Sequence, residues 1–405
     1  MKTKVLFVGG VWQSSEENTI IANSKGSVQI AANVLQTNII EGLDAHLEEP
    51  VTILNEIFIG AFPLRYKKSF IHHFQWNHSE KSSHVDYNIG FLNYPFVKHY
   101  SRLYQLKKYI KKELACCSDY DEIFVIGYSM TFSVVEGLRF AKEISAKVKT
   151  CLIIPDLPEY MNLGKKKNSM FNVLKTNMNK KLYEDICDID CFVTLTEYIY
   201  RALKVKKPYT VVEGIATDSK AVSIKEMQST TLDFVYTGSL GIKYGVVDLV
   251  DAFMKVKGEN LKLIICGAGD GDEHIKCMAK IDARIDFRGI VSNEEAKALQ
   301  RSAYVLVNPR SNKEEYTKYS FPSKTMEYMA TGRPVLMYKL KGIPDEYDDY
   351  LYYFGEDITA SIDKIARTDP QKLHAKGEKA KQFVHQYKNK NMQAKKILNL
   401  LNSLN

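Results

Sequence analysis

Short apolar runs alternate with amphipathic segments along most of the chain. Runs of strand length, rich in Val, Ile, Leu and Phe, occur at residues 5–8, 122–126, 150–154, 191–195, 209–212, 233–237, 262–266, 304–308 and 334–337. Between them, apolar positions follow a helical period at residues 28–42, 132–144, 244–257 and 293–301. This alternation predicts an α/β protein whose parallel sheets are covered by helices.

A polar stretch at residues 216–231 separates two sets of strand–helix units. We therefore predict two Rossmann-like, doubly wound domains, over residues 1–215 and 216–368. Residues 369–405 predict one long helix rich in Lys and Gln, and the sequence leaves open whether it packs back on the first domain. Because open parallel sheets bind ligands at the carboxyl ends of their strands, we expect the two domains to face a central cleft.

The composition is that of a folded protein with a full core. Of 405 residues, 45% are hydrophobic and 26% are charged, which excludes a disordered chain. No apolar run reaches the length of a membrane-spanning helix, and the N-terminal residues predict a buried strand rather than a signal peptide. The seven cysteines contain no Cys-x-x-Cys pair, so we expect buried thiols in a cytoplasmic protein.

The net charge of +8 is concentrated in two segments. Residues 60–115 hold ten Lys and Arg against three acidic residues, and residues 163–181 hold six Lys and no acidic residue. In the second segment, lysines at 165–167, 180 and 181 lie beside an apolar helical stripe of Met170, Phe171, Leu174 and Met178. We expect an anionic membrane surface as the partner, and the alternative is a solvated helix whose stripe packs on its domain. No recognition motif indicates nucleic acid.

The segment from 307 to 335 carries the clearest candidate chemistry. A strand is predicted to end at Asn308 and a helix to run from Ser323 to Ala330, with Ser320 as a candidate N-cap. Free N–H groups at a helix start, together with the cation of Lys324, are typical of an anion site. Glu327, one turn further, suits the diol of a sugar, although both acidic and capping residues are also common on ordinary helices.

A glycine-rich turn follows the strand at 233–237. Gly238 and its neighbours let backbone N–H groups approach a phosphate, which Lys243 neutralises. A second turn, at residues 267–271, is similar to a dinucleotide fingerprint, but its third glycine comes one residue early. The sequence therefore does not indicate a nicotinamide cofactor.

In order and spacing, these stretches resemble the second domain of family 4 glycosyltransferases, which have the GT-B fold. The matching motifs are Tyr-Thr-Gly-Ser-Leu at 236–240, Gly-Ala-Gly-Asp at 267–270, Phe-Arg-Gly at 287–289, Asn-Pro-Arg at 308–310 and Phe-Pro-Ser-Lys-Thr-Met-Glu-Tyr-Met-Ala-Thr-Gly at 321–332. The first domain is similar more loosely, through Gly9-Gly10, the helix at 31–36, Pro-Asp-Leu-Pro-Glu at 155–159 and Val-Glu-Gly-Ile at 212–215. It looks like a bacterial transferase of exopolysaccharide or capsule synthesis.

The resemblance implies a retaining sugar transfer from a nucleoside-diphosphate-sugar, with a UDP-sugar favoured, to a glycan or lipid-linked acceptor. The second domain would hold the donor and the first the acceptor, and neither a cofactor nor a metal ion is expected. Lys243, Lys324 and Asp156 are the implied catalytic residues. The implied donor-binding residues are Gly9, Gly10, Gly238, Ser239, Gly267, Gly269, Gly289, Arg310, Tyr319, Ser320, Phe321, Ser323 and Glu327.

Three positions depart from the family pattern. Tyr319 stands where the family has the first Glu of its Glu-x7-Glu pair, Pro155 replaces a His before Asp156, and Ser239 replaces an arginine. These departures keep two alternatives open: a catalytically silent, glycosyltransferase-like partner subunit, and a nucleotide-sugar epimerase or hydrolase of the same fold. The histidines at 72, 73, 78 and 84 lack helical metal spacing, and we expect them at the surface or the acceptor site.

Overall fold

The computed structural model describes residues 2–26, 28–79, 84–161, 169–217 and 231–404, with side chains omitted at 169–175. The chain forms two compact units. The first comprises Met1–Ile215 together with Lys390–Asn405, and the second comprises Ala216–Asn389. The change of unit after residue 215 lies where the polar stretch of the sequence begins.

The first unit is built on an eight-stranded sheet in the order β10-β9-β8-β7-β1-β2-β5-β4. All neighbours pair in parallel except the edge strand β4. Strands β3 and β6 form a separate antiparallel ribbon. The strands are β1 (Thr3–Gly9), β2 (Thr52–Asn55), β3 (Phe70–Ile71), β4 (Phe74–Trp76), β5 (Asp86–Asn88), β6 (Phe91–Leu92), β7 (Glu122–Tyr128), β8 (Val148–Ile154), β9 (Cys191–Thr194) and β10 (Tyr209–Val211).

The helices of the first unit cover this sheet. Every residue of β7 is buried, which is typical of a central parallel strand covered on both faces. The helices that connect these strands are α1 (Ser14–Asn23), α2 (Ile30–Asp44), α3 (Val97–Ala115), α4 (Phe132–Ile144), α5 (Ser169–Asp185) and α6 (Glu197–Leu203). Helix α3 lies in the first basic segment and buries only one stripe, of which Leu106 and Ile110 are fully buried.

The second unit contains a six-stranded sheet in the order β13-β12-β11-β14-β15-β16, parallel throughout. Its strands are β11 (Leu232–Thr237), β12 (Leu261–Cys266), β13 (Ile285–Gly289), β14 (Val305–Asn308), β15 (Val335–Met337) and β16 (Tyr352–Tyr353). Its helices are α7 (Val246–Phe253), α8 (Asp272–Ile281), α9 (Asn293–Ser302), α10 (Ser323–Met329), α11 (Ile358–Ala366) and α12 (Pro370–Tyr387).

The C-terminal segment is two helices, so the prediction of one helix over 369–404 is wrong. Helix α12 belongs to the second unit, and α13 (Lys390–Asn402) belongs to the first. The hydrogen-bond pattern of α12 ends at Lys388, because the carbonyl of Lys388 accepts from the backbone N–H of Ala216, at 2.8 Å, instead of continuing the helix. Helix α13 then lies close against α2, where a Cβ at Gly42 would meet the carbonyl oxygen of Lys390 at 2.4 Å.

Most predicted elements are confirmed. All nine predicted strands are present to within two residues, and α4 has the predicted bounds. The helix predicted at 244–257 is shorter: it begins at Val246, because Gly245 has a positive φ of 77° and separates a 3-10 turn, Ile242–Tyr244, from α7, and it ends at Phe253. The pattern did not predict the short strands β2, β3, β4, β5, β6, β13 and β16. Among the described residues, no helix is long and apolar enough to cross a membrane.

Candidate functional site

The order of strands in the second sheet places a crevice beside β11. The chain adds β12 and β13 on one side of β11 and then returns to add β14 on its other side. At such a reversal the two connecting segments leave in opposite directions and open a gap at the carboxyl ends of the strands. The turn after β11, the loop after β14 and helix α10 surround this gap.

Two glycines allow the turns at the crevice to pass close to each other. Gly267, directly after β12, has a φ of +143°, and a Cβ there would lie 1.7 Å from the carbonyl oxygen of Gly238. Gly245, with a φ of +77°, approaches the carbonyl of Pro309 so closely that a Cβ would lie 2.2 Å from its oxygen. Only glycine combines these φ values with this spacing. The turns after β11, β12 and β14 are therefore held together by backbone contact.

The predicted pair Lys324 and Glu327 forms a side-chain contact on α10. The ammonium of Lys324 donates to both carboxylate oxygens of Glu327, at 2.9 and 3.2 Å. Both side chains are about one-third exposed, so they line the crevice rather than the core. A Cβ at Gly238 would lie 3.7 Å from Cε of Lys324, so this lysine extends over the glycine-rich turn.

Gln300, a buried residue that the sequence pattern did not indicate, holds Glu327 in place. Nε2 of Gln300, in α9, donates to Oε1 of Glu327 at 2.7 Å and lies 2.7 Å from Oγ1 of Thr237. The backbone N–H of Thr237 donates to the hydroxyl oxygen of Tyr328, which in turn donates to the carbonyl of Thr237. Burial raises the pKa of Tyr328, so this hydroxyl keeps its proton. The end of β11 and helix α10 are thus one hydrogen-bonded unit.

Arg310 adds a cation on the β14 side of the crevice. Its Nη2 donates to Oγ of Ser320 at 2.8 Å, and its guanidinium lies 5.1 Å from the ring centre of Tyr316 and 6.0 Å from that of Tyr244. The Nε atom is buried and has no hydrogen-bond partner among the described residues. This arrangement leaves donor capacity for an anionic group.

Lys243 lies in the 3-10 turn between β11 and α7 and is exposed. Its ammonium lies 5.1 Å from the ring centre of Tyr244, and within the described part of the chain it has no hydrogen-bond or ion-pair partner. The Lys324–Glu327 pair does not include it. An anion at the crevice could therefore pair with the ammonium of Lys243 without breaking a hydrogen bond or an ion pair of the described residues.

The segment before α10 departs from two expectations. Ser320 is not the N-cap, because Pro322 occupies that position without a capping side chain, and the hydroxyl of Ser320 accepts from Arg310 instead. Phe321 is buried in the core of the unit, with its ring 5.5 Å from that of Tyr347, so its side chain is not directed to a ligand. Tyr319 ends the 3-10 turn Glu315–Tyr319, and the ammonium of Lys318 lies 4.9 Å from its ring centre.

The other predicted donor-binding residues of this unit lie at the end of β13, in the turns after β11 and β12, and at the start of α10. Ser323 begins α10 and is exposed. Ser239 is exposed, and its carbonyl accepts from the hydroxyl of Tyr236 at 2.7 Å. Gly269 packs against the backbone of Leu240, while Gly289 has a φ of +66° and nothing within 4 Å of a Cβ position.

Gly9, Gly10 and Asp156 belong to the first unit. Gly10 donates its N–H to Oε1 of Gln36 at 2.9 Å. A Cβ at Gly9 would clash with the Gln36 side chain, and a Cβ at Gly10 would clash with the ring of Phe58. Asp156 follows β8, at the carboxyl edge of the sheet. Burial raises the pKa of Tyr128, at the end of β7, and the nearby charge of Asp156 raises it further.

The histidines divide into two pairs. His72 and His73 are exposed, as expected. His78 and His84 are not surface residues, since their side chains are 16% and 7% exposed and both contact the buried carboxylate of Asp86. The seven cysteines are free thiols, and the expectation of burial is wrong for Cys116, Cys187 and Cys277, which are exposed.

Comparison with known proteins supports this description of the second unit. Residues 231–368 match the family model of glycosyl transferases group 1. No curated protein matches the chain by sequence.

Solved structures match over the whole chain at low identity. A lipopolysaccharide outer core galactosyltransferase, WaaB, in its apo form has a TM-score of 0.62 and 14% identity, over 99% of each chain. A sucrose-phosphate synthase from Thermosynechococcus elongatus has a TM-score of 0.64 and 14% identity, also over 99% of each. A UDP-forming trehalose-phosphate synthase from Burkholderia xenovorans has a TM-score of 0.66 and 8% identity, over 98% of this chain and 100% of that one.

These structures share the GT-B fold, so the predicted fold class is confirmed. Residues 231–368 are thus similar to the glycosyl transferases group 1 family, in a chain of the GT-B fold.

Proposed function

We propose that this protein transfers a sugar from a nucleoside-diphosphate-sugar to a glycan acceptor. The observation that carries the proposal is the Lys324–Glu327 pair, in which Gln300 holds Glu327. The pair lies beside the glycine-rich turn, at the crevice next to β11 in the second sheet. A diphosphate needs cations and backbone N–H groups, and a ribose needs a hydrogen-bond acceptor. The crevice offers both within a few residues.

In the proposed complex the diphosphate lies between Lys324 and Arg310, with Lys243 closing on it from the β11 turn. As the acceptor hydroxyl oxygen bonds to the anomeric carbon, its proton passes to an oxygen of the leaving diphosphate, and the bond from that carbon to the diphosphate breaks. The leaving diphosphate carries the negative charge that these side chains stabilise. We propose that lysine and arginine cations fill this role without a metal ion.

Glu327 is the proposed ribose ligand. Its Oε1 accepts from both Gln300 and Lys324, whereas its Oε2 accepts from Lys324 alone and has a further lone pair for a hydroxyl donor. The turns at Gly267 and Gly289 are proposed to contact the base. A UDP-sugar is favoured, since one structural neighbour is described as UDP-forming and another as bound with UDP-2-fluoro glucose.

The proposed acceptor domain is the first unit, with Asp156 at the carboxyl edge of its sheet. We propose a hexosyl transfer with retention to a lipid-linked saccharide, in bacterial synthesis of a surface polysaccharide such as an exopolysaccharide or capsule. The galactosyltransferase neighbour acts on the lipopolysaccharide outer core, which is a lipid-anchored glycan of the same general kind.

The outward face of α3 supports peripheral contact with an anionic membrane. Tyr100 and Tyr104 are 67% and 71% exposed, and Lys108 and Lys111 continue the same helical face. Aromatic rings and lysines together favour the interface of an anionic bilayer. In the second basic segment, residues 165–167 lie outside the described residues, as do the side chains of 170, 171 and 174, so α3 carries the proposal.

A thermal-shift titration with UDP-, GDP-, ADP- and dTDP-sugars tests the donor site, because a ligand that binds only the native state raises its melting temperature. We expect a shift with one nucleotide series, and a smaller one in Lys324→Ala. No shift with any series would favour the silent partner subunit, for which Tyr319 and Ser239 are the supporting features. Release of free sugar, or of an epimer, without an acceptor would favour the hydrolase or epimerase.

A further inference from the structure

Two histidines and two aspartates meet at the amino edge of the first sheet. Asp86 is the first residue of β5, and His84 lies two residues before it. His78 follows the edge strand β4, and Asp44 is the last residue of α2. The proposed acceptor residues lie at the opposite, carboxyl edge of this sheet, so this cluster is separate from them.

The carboxylate of Asp86 is fully buried and held by the backbone. Its Oδ1 accepts from the N–H of Ile53 and its Oδ2 from the N–H of His78, both at 2.9 Å. The remaining lone pairs of the two oxygens face imidazole nitrogens. Nδ1 of His78 lies 2.7 Å from Oδ2, and Nε2 of His84 lies 3.0 Å from Oδ1.

The second aspartate, Asp44, orients the ring of His78 through Nε2, the ring nitrogen that does not contact Asp86. Oδ2 of Asp44 lies 2.8 Å from Nε2 of His78, and Oδ1 of Asp44 accepts from the N–H of Val51 at 2.8 Å. With Nε2–H donated to Asp44, it is Nδ1 that faces Asp86 and His84. A carboxylate that orients a histidine through its far nitrogen is the usual outer shell of a metal-bound imidazole.

We propose that His78, His84 and Asp86 bind a divalent transition-metal ion, with Zn²⁺ the best fit to two imidazoles and a carboxylate. The three ligand atoms lie within 4.8 Å of one another, and Asp86 needs no rearrangement of its backbone donors to supply an oxygen. On binding, the ring nitrogens that face Asp86 give their protons to solvent, and water completes a tetrahedral shell.

The ion would cross-link neighbouring elements of the first unit. It joins the segment after β4 to the start of β5, while Asp44 ties the same cluster to the end of α2. These connections bring an edge strand and a covering helix to one point. Because the ion stabilises the native state only, it raises the melting temperature and leaves donor binding in the second unit unchanged.

The test uses the full-length protein after removal of metal with a chelator, and Zn²⁺ alone as the probe. We expect one bound equivalent by calorimetry and by elemental analysis, together with a rise in melting temperature. In His84→Gln, which keeps a polar side chain, both should be lost. The matched control is His274→Gln, since His274 also contacts one aspartate, Asp251, but at the surface and, among the described residues, outside any group of metal-ligating side chains.

Asp44→Asn separates the orienting role from ligation. It keeps all three ligands and is expected to weaken Zn²⁺ binding about 10- to 100-fold. Absence of binding by the wild-type protein would overturn the proposal and leave the cluster as an ion-pair network. Binding that persists unchanged in His84→Gln would also overturn it, and would assign the ion to exposed thiols such as Cys116, Cys187 or Cys277.

Discussion

Lys324 donates to both carboxylate oxygens of Glu327, three residues further along α10, so the two residues with the clearest candidate chemistry are each other's partner. Glu327 therefore orients the lysine ammonium and keeps one lone pair on Oε2 for a further donor, since Oε1 also accepts from Gln300. In the proposed complex, the donor diphosphate would meet a cation whose position is already set. The pair is partly exposed, so its contribution to folding is small.

We expect Lys324→Ala to lower kcat/KM for the donor about 100-fold or more, because it removes a cation directed at the leaving group. The free energy of unfolding should change by less than about 1 kcal/mol, as for other exposed ion pairs. Steady-state kinetics and urea denaturation measure the two effects. The matched control is Lys276→Ala, which breaks a similar pair with Glu273 in α8. Equal activity in the two variants would remove Lys324 from the site.

Gln300→Leu should act through Glu327. Its amide is buried and donates to Glu327, so its loss frees the carboxylate to move and leaves Thr237 Oγ1 without this partner. We expect KM for the donor to rise more than kcat falls, with a loss of about 1–3 kcal/mol in stability. Gln300→Glu would place two carboxylates together and should weaken donor binding further. A fall in kcat alone, with KM unchanged, would contradict this positioning role.

Two glycines give a matched pair of backbone tests. Gly267→Ala combines a φ of +143° with a Cβ 1.7 Å from the carbonyl oxygen of Gly238, and should cost more than about 3 kcal/mol. Gly289→Ala has a φ of +66° and open space around the new methyl group, and should cost about 1 kcal/mol. Chemical denaturation of both variants measures the difference, and similar losses would show that steric contact at Gly267 is unimportant.

Lys98 makes the stability of the first unit depend on pH. Burial, followed by the charge of Arg102, lowers the pKa of Lys98 to about 6, and Glu56 offsets this only in part. In the unfolded chain the pKa returns to about 10.4. Above about pH 6 this group therefore binds more protons in the unfolded chain, and its contribution makes the free energy of unfolding rise with pH by up to about 1.4 kcal/mol per unit. His78 contributes the opposite slope above its unfolded pKa of about 6.5, because, against the effect of burial, hydrogen bonds to Asp44 and Asp86 raise its folded pKa to about 9.

Relative to the wild type, Lys98→Met should lower the slope of the unfolding free energy against pH by up to about 1.4 kcal/mol per unit, as measured by urea denaturation from about pH 6 to about pH 9. The control is Lys111→Met, an exposed position on the same helix. His99 does not explain the effect, since its pKa is lowered to about 4, and its unfolded value of about 6.5 places its contribution at lower pH. The same slope in Lys98→Met and in the wild type would mean that Lys98 does not contribute to it.

The outward face of α3 predicts salt-sensitive binding to vesicles that contain anionic phospholipid. Lys108→Ala with Lys111→Ala should weaken binding about 30-fold at low salt, since each lysine near such a surface contributes about 1 kcal/mol. Co-sedimentation measures the affinity. The control exchanges Lys255 and Lys257, two exposed lysines of the second unit. Equal losses in both double variants would indicate a general charge effect rather than a docking face.

The sequence by itself determined the elements and the main motif. The nine predicted strands, the helix at 132–144 and the start of a helix at Ser323 depend on local periodicity, which neighbouring residues set among themselves. Lys324 and Glu327 are three residues apart on one helix, so their contact also follows from local geometry.

Only the tertiary structure decided which distant residues meet. Gln300 joins Thr237 and Glu327 across 63 and 27 positions of the chain, and Asp44 meets His78 across 34. The burial of Phe321 and the division of the C-terminal segment at Lys388 were likewise outside the local pattern. The reason is physical: such contacts depend on the order of strands in each sheet and on what packs against them, and no local preference of the chain encodes that order.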